Sequence, residues 1–465
     1  MEDEFGKKKK KKMIDQYIQT LPEGGFRVFV SNYVGKDVSD RFAQWVSPRP
    51  RVNYKLGKHR KKKIDGKYHH WITIEQETTK PIHEPVALKV SYKDKTSETQ
   101  TWMSTEPMHT FQFLTNQKIK AIEIDPNERL LETTKADNRR PAYWKFVVLS
   151  MFVEYDFEAE QPSFFVQGQF RKRYGGLDRF DIGGYSQFKA YGASLGYTRL
   201  FGKTIDALRL SHGVRFGLNF NKLDDDFATI QTQTGQSNIE VTPGGFASDL
   251  SFSYVFGNQL SYINPLRGSY GGLTFRVSSP AVGSQYTYRM LSFNFAGIVP
   301  IHPNHLYGFR FRLGTSGGDE MPSQLQYRLG GITSMRGLPL TNDRFTGKNL
   351  LMMTHEYRHF IVQDLDANLW LFRIRKIQGA LFSNMGNTTN TVLEQGQALA
   401  NVAVDRTGFN DLFDVRDWKM DAGYGIRLFI DYLGVSPSLI AFDIAKSVTH
   451  PEFGWLYYLG VNQSF

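Results

Sequence analysis

The sequence predicts an all-β protein, in which a small soluble β-sandwich precedes a transmembrane antiparallel β-barrel of about 16 strands. Three observations predict it. No run of about 18 apolar residues occurs anywhere in the 465 residues, so helical spans are excluded. The longest apolar stretch, Phe146 to Val153, is less than half that length. Beyond about residue 160, segments of ten or more residues alternate apolar and polar with period two, rich in Gly, Tyr and Phe. The first third has another texture, with shorter alternating segments and most of the positive charge. A negative mean hydropathy is no objection, because a barrel strand averages an apolar face with a wet one.

Residues 1–12 read as a disordered, lysine-rich tail. Residues 13–150 read as the β-sandwich-like domain. Trp71–Glu75, Val86–Tyr92, Thr110–Leu114 and Ala121–Ile124 alternate with period two between turn residues. Residues 151–465 read as the barrel. Residues 1–150 carry 29 Lys and Arg against 19 Asp and Glu, while the rest is nearly balanced. Two runs dominate the excess, Lys7–Lys12 and Lys58–Lys63. Such runs can meet nucleic acid or anionic lipid, but no nucleic-acid-binding motif surrounds either. The simpler reading is a solvated tail and a solvated hairpin, with no nucleic acid as partner. The acidic start Met1–Glu4 is not a signal peptide, so an exported protein would begin upstream of this numbering. Cysteine is absent, which excludes disulfides and thiolate-held metals.

The barrel strands follow from the alternation. In Leu306–Gly314, Tyr307, Phe309, Phe311 and Leu313 share one face, and Gly308, Arg310 and Arg312 share the other. In Leu208–Phe220 and Met420–Tyr432 large apolar residues likewise oppose Arg, Asn, Asp and Gly. A soluble sandwich alternates too, but its strands are shorter and its polar face looks to bulk water. In hydrocarbon every backbone N–H and C=O must be paired, so a spanning sheet must close. About 305 residues at roughly ten per strand plus loops give about 14–16 strands. The last segment, Trp455 to Phe465, ends on an aromatic in the outward phase. It resembles the C-terminal targeting signal of bacterial outer-membrane proteins, with Phe465 as its terminal residue.

The stretch from Met321 to Leu338, M-P-S-Q-L-Q-Y-R-L-G-G-I-T-S-M-R-G-L, is the most informative. It resembles the lumen loop of the BamA/TamA superfamily of outer-membrane insertases and translocases, which includes the two-partner secretion transporters. Tyr327, Leu329, Gly330, Gly331, Ser334, Met335, Arg336, Gly337 and Leu338 occupy that pattern. Met335 replaces the usual Val or Ile, and Leu338 replaces an aromatic. The resemblance implies that the loop folds back into the barrel and that Arg336 meets carboxylates on the inner wall. A guanidinium fork in a confined lumen suits a carboxylate. Glu356 matches the family's acidic position on the next strand. In Gly379–Asn387, Phe382, Gly386 and Asn387 are retained while Asn384 replaces an Asp. Arg336 is then expected to depend on Glu356, with Asn384 as the second partner. Gly423, Gly425 and Arg427 extend the likeness, which covers about residues 160–465.

The same residues contain two other motifs. His355-Glu356-Tyr-Arg-His359 is a literal H-E-x-x-H. Zinc chemistry needs it on a helix, where imidazoles four apart converge on one ion. On a strand they stand about 13 Å apart. Alternation of Leu351, Met353, His355, Tyr357 and His359 with Thr354, Glu356 and Arg358 favours a strand, and Gln378 stands where a third ligand would be needed. Gly314-Thr-Ser316-Gly-Gly318 fits G-x-S-x-G, but Asp319-Glu-Met-Pro follows where a nucleophile elbow needs a helix. No catalytic residue, metal or cofactor is therefore expected. Residues 40–137 resemble weakly the non-catalytic sandwich of gluzincin aminopeptidases, and POTRA modules are not evident.

The resemblance implies polypeptide insertion into, or translocation across, the outer membrane of a Gram-negative bacterium. The sandwich would stand in the periplasm. Partners would be outer-membrane lipid, unfolded or secreted polypeptide clients and other outer-membrane assembly proteins. The alternatives are a barrel that anchors or exports a fused gluzincin-type peptidase whose catalytic domain is not in this chain, and a passive channel.

Overall fold

The structure is a computed structural model. It describes residues 13–461 apart from 15, 19, 21–24, 46–49, 105, 158–160, 174–176, 188–189, 202–210, 232–236, 258–265, 319–320, 341–344, 371, 390–407 and 433–435. The lysine run 7–12, residues 208–210 and Phe465 lie outside the described residues. Two compact units divide the chain, residues 1–143 with 172–175 and residues 144–171 with 176–465.

The first unit contains helices α1 (Gly25–Val34) and α2 (Ser39–Trp45), after helical residues at 13–14, 16–18 and 20. The alternation seen in the sequence did not foretell them, yet a helical signal exists. Phe26, Phe29, Val30 and Val34 recur at three- and four-residue spacing and pack with Met13, Val38 and Phe42. Gly35, at φ +70°, ends α1, and Asp37 Oδ1 accepts the Ser39 N–H at 2.9 Å before α2.

Seven strands follow: β1 (Val52–Ile64), β2 (Lys67–Thr78), β3 (Pro85–Tyr92), β4 (Ser97–Met103), β5 (Met108–Thr115), β6 (Ile119–Ile124) and β7 (Arg139–Arg140). They form two sheets, ordered β1-β2-β5 and β4-β3-β6-β7. The alternate apolar residues share one core, with Tyr54, Ile72, Ile74, Leu88, Phe111 and Ile124 almost fully buried. Two sheets closed over one core make a sandwich.

The second unit is a closed antiparallel barrel. Its first wall strands are β8 (Trp144–Asp156), β9 (Gln161–Lys172), β10 (Asp178–Gln187), β11 (Ala190–Phe201) and β12 (Ser211–Leu223). The hairpin β13 (Asp226–Gln231) and β14 (Ser237–Thr242) pairs only with itself. The wall continues with β15 (Gly245–Gly257), β16 (Gly268–Ser278), β17 (Tyr288–His302) and β18 (His305–Gly317). After the short pair β19 (Tyr327–Arg328) and β20 (Thr346–Gly347) come β21 (Asn349–Val362) and the short arm β22 (Ala367–Leu369). The wall ends with β23 (Phe372–Thr389), β24 (Lys419–Tyr432), β25 (Ser436–Ser447) and β26 (Trp455–Val461).

Pairing of β21 with β23 and of β26 with β8 closes the ring. Among the described residues fourteen strands make the wall. Fourteen lies at the low end of the 14–16 that length allowed and below the expected 16, and β13 and β14 leave the wall as a separate hairpin. Large apolar side chains face outward and stay exposed, among them Phe216, Phe252, Phe275, Leu291, Leu381 and Phe442. An apolar belt of this extent belongs against lipid. Among the described residues no helix is long and apolar enough to cross a membrane.

Candidate functional site

The segment between β18 and β21 enters the barrel. Its glycines explain the path. Gly331 sits at φ +91°, a conformation that L side chains rarely adopt. A Cβ on Gly330 would collide with the Pro339 carbonyl. The turn is closed by Met335 N–H to Leu329 O at 2.8 Å, Gly331 N–H to Leu338 O at 3.0 Å and Ser334 N–H to Gly331 O at 3.1 Å. The Ser334 hydroxyl donates to the Arg328 carbonyl at 3.2 Å. Leu329, Met335, Leu338 and Phe345 are fully buried and pack on Leu350 and Met352 of β21. The apolar replacements Met335 and Leu338 therefore anchor the loop by burial.

This turn aims Arg336 at the inner wall. Its Nη1 donates to Asp443 Oδ2 on β25 at 2.8 Å, and Nη2 to Glu356 Oε2 on β21 at 3.2 Å. The guanidinium carbon lies 3.4 Å from the centroid of the Phe382 ring on β23. Arg336 is only 5% exposed, so these contacts form in a desolvated place where charge pairing is strong. Glu356 Oε1 accepts from Arg358 Nε at 2.6 Å, and Asp443 also pairs with Arg427. Three arginines and two carboxylates thus join the loop to β21, β24 and β25.

Next to Arg336, the Gly337 N–H donates to Asp421 Oδ2 on β24 at 2.7 Å. A small cavity lies between Gly331, Ile332, Thr333 and Leu340 of the loop and Glu154, Asp156 and Ser163 of β8 and β9.

Among the residues singled out in the sequence, the structure brings Arg336 to Glu356. Asn384 does not bond Arg336. Its Nδ2 donates to Asp421 Oδ1 at 2.6 Å and so orients the carboxylate that receives Gly337. Sequence reasoning missed Asp421 and Asp443. Asp443 was within reach, because it is the one carboxylate on Ser436–Ser447 and stands opposite the outward Phe442.

The H-E-x-x-H residues lie along β21. His355 Nδ1 is 2.6 Å from Tyr307 Oη and His359 Nε2 is 3.2 Å from Tyr424 Oη. Glu356 points to the opposite, inner face, so the three do not converge. Ser316 Oγ donates to the Lys348 carbonyl at 2.8 Å, on the end of β18.

A closed wall with an apolar exterior and a charged interior defines an outer-membrane β-barrel, here with a loop folded inside. Residues 148–453 match the Omp85 superfamily domain. The chain belongs to that superfamily.

Solved structures give distant likenesses. BamA from Haemophilus ducreyi lacking POTRA domains 1–3 is 13% identical, with 88% of this chain and 70% of that chain covered at TM-score 0.38. CdiB from Escherichia coli is 11% identical, with 92% and 70% covered at TM-score 0.41. CdiB from Acinetobacter baumannii is 11% identical, with 89% and 60% covered at TM-score 0.35. No curated protein matches the chain.

Proposed function

We propose that this barrel mediates insertion of polypeptides into, or their translocation across, the outer membrane, and that the Arg336 loop braces the lumen while it does so. Family membership supports the class of work. The seating of Arg336 on Asp443 and Glu356 carries the specific reading, because it ties the loop to two wall strands with buried charge. Residues Gly330, Gly331, Ser334, Met335, Gly337 and Leu338 would hold its shape. The first unit would stand in the periplasm and receive clients, alone or with other assembly proteins.

The seam between the first and last wall strands supplies a place for work. Among the described residues, β26 and β8 share four residue pairs, from Tyr458↔Asp156 to Val461↔Val153. Opening at this junction of the first and last wall strands would expose an unpaired edge, which is a template for an incoming strand.

The test is reconstitution of the full chain in liposomes with a urea-unfolded outer-membrane barrel as client. Faster client folding than in empty liposomes, slowed by Arg336→Ala, is the expected result. Steady ion conductance with no effect on client folding would favour a passive channel instead.

A further inference from the structure

The first unit gathers positive charge at one end of its sandwich. The β1–β2 hairpin closes on Asp65 and Gly66, at φ 48° and 81°. Arg60, Lys61, Lys62 and Lys63 on one strand and Lys67 on the other are all exposed. β5 pairs with β2 as far as Tyr68↔Thr115, so the β5–β6 turn with exposed Lys118 lies at that same end. The Lys93 N–H donates to the Lys118 carbonyl at 3.1 Å, which brings in the β3–β4 turn with exposed Lys93 and Lys95. Three turns, far apart in sequence and drawn from both sheets, therefore present cations together.

Little opposes that charge. Asp65, Asp94 and, one residue into β4, Glu98, which accepts from the Tyr92 hydroxyl at 3.2 Å, are three carboxylates against these eight cations. Apolar side chains stand among the cations. Ile64 at the hairpin tip is 37% exposed, and Leu114 beside Thr115 is 55% exposed. We propose that this end of the sandwich docks on a bilayer surface rich in anionic phospholipid headgroups.

The composition favours lipid over a polyanionic chain. Nearly all the cations are lysines, whose point charges on flexible stems suit smeared headgroup charge. Recognition of phosphodiesters or carboxylates in fixed geometry favours arginine forks. The cations spread over an end and do not line a groove. Exposed apolar residues among lysines suit the headgroup boundary. The chain also continues at Trp144 into a membrane wall strand, which tethers this unit to a bilayer protein. That last argument rests on the barrel reading.

The experiment uses the full chain in nanodiscs of phosphatidylcholine alone or with phosphatidylglycerol. Tryptic cleavage within residues 58–67 is followed by mass spectrometry. Phosphatidylglycerol should slow cleavage about tenfold at low salt, and high salt should restore it. The triple variant Lys61→Glu, Lys62→Glu, Lys63→Glu should lose that protection. Heat-modifiable gel mobility of the same samples reports separately on whether the barrel is closed. Equal cleavage in both lipids would overturn the proposal. So would protection produced only by added polyglutamate or single-stranded DNA.

Discussion

Arg336 Nη1 lies 2.8 Å from Asp443 Oδ2, across 107 residues of sequence and inside a closed wall. The contact joins a loop that precedes β21 to the penultimate strand. It also makes Asp443 a shared acceptor, because Arg427 pairs with the same carboxylate. Gly425 is part of that arrangement, since a Cβ there would strike both Asp443 and Arg427. A guanidinium removed from such a place leaves buried carboxylates with one cation fewer, which costs on the order of 3–5 kcal/mol.

Gly337→Ala should unseat the loop without touching a charge. The added Cβ would stand 2.5 Å from Asp421 Cβ and 2.6 Å from the Ser447 amide nitrogen. A backbone atom of a wall strand cannot retreat, so the loop must. Limited proteolysis should then cut within residues 328–340, where the native chain should stay intact. An uncut loop in the variant would count against the close approach.

Glu356 and its histidine neighbours make separable predictions. His355→Ala and His359→Ala each remove a hydrogen bond to a tyrosine, worth about 1 kcal/mol, and should leave heat-modifiable mobility nearly unchanged. Glu356→Gln removes the charge facing Arg336 and Arg358 and should lower the temperature at which the compact form is lost. Equal effects of all three would contradict the two-faced strand.

Most of the wall was legible because period two survives wherever one face meets lipid and the other meets water. Asn349–Val362 and Trp455–Val461 show it. Trp144–Asp156 does not, since apolar residues occupy both of its faces, and the wall begins earlier than periodicity alone locates. The loop was legible through its glycines and Arg336. The inward phase of Asp443 was within reach, but its pairing with Arg336, like that of Asp421 with Gly337, was not, because a partner on a distant strand is fixed by barrel registry and leaves no local spacing to read. The helices were hidden by β-branched and aromatic residues in Gly25–Val34, where tertiary packing overrode propensity.

In the sandwich, burial pushes the Glu132 carboxyl up to about 7, while hydrogen bonds from the Tyr54 N–H at 3.0 Å and Asn138 Nδ2 at 2.8 Å offset part of the cost. Its folded value exceeds the ordinary 4.5. The contribution to stability is therefore full below about 4.5 and is lost as pH rises through about 7. Glu132→Gln keeps an acceptor for Tyr54 and carries no charge. Amide exchange along β1 should be slower in the variant than in the native chain at pH 8, once corrected for intrinsic rates, with the gap shrinking at pH 5. A gap that is constant with pH would contradict a titrating Glu132.

The seam can be locked, because the chain has no cysteine of its own. Leu459 and Tyr155 are register partners on β26 and β8. Tyr155→Cys with Leu459→Cys should form a disulfide that stops client folding in liposomes, and reductant should restore it. Full activity in the oxidised form would exclude opening at that seam.

The bracing role of Arg336 is tested most directly by a double-mutant cycle. The temperature at which heat-modifiable mobility is lost is measured for the native chain, Arg336→Ala, Asp443→Asn and the double variant. Each single change should lower it clearly, and the double variant should fall by much less than the sum. Strictly additive losses, or single variants indistinguishable from the native chain, would contradict the account.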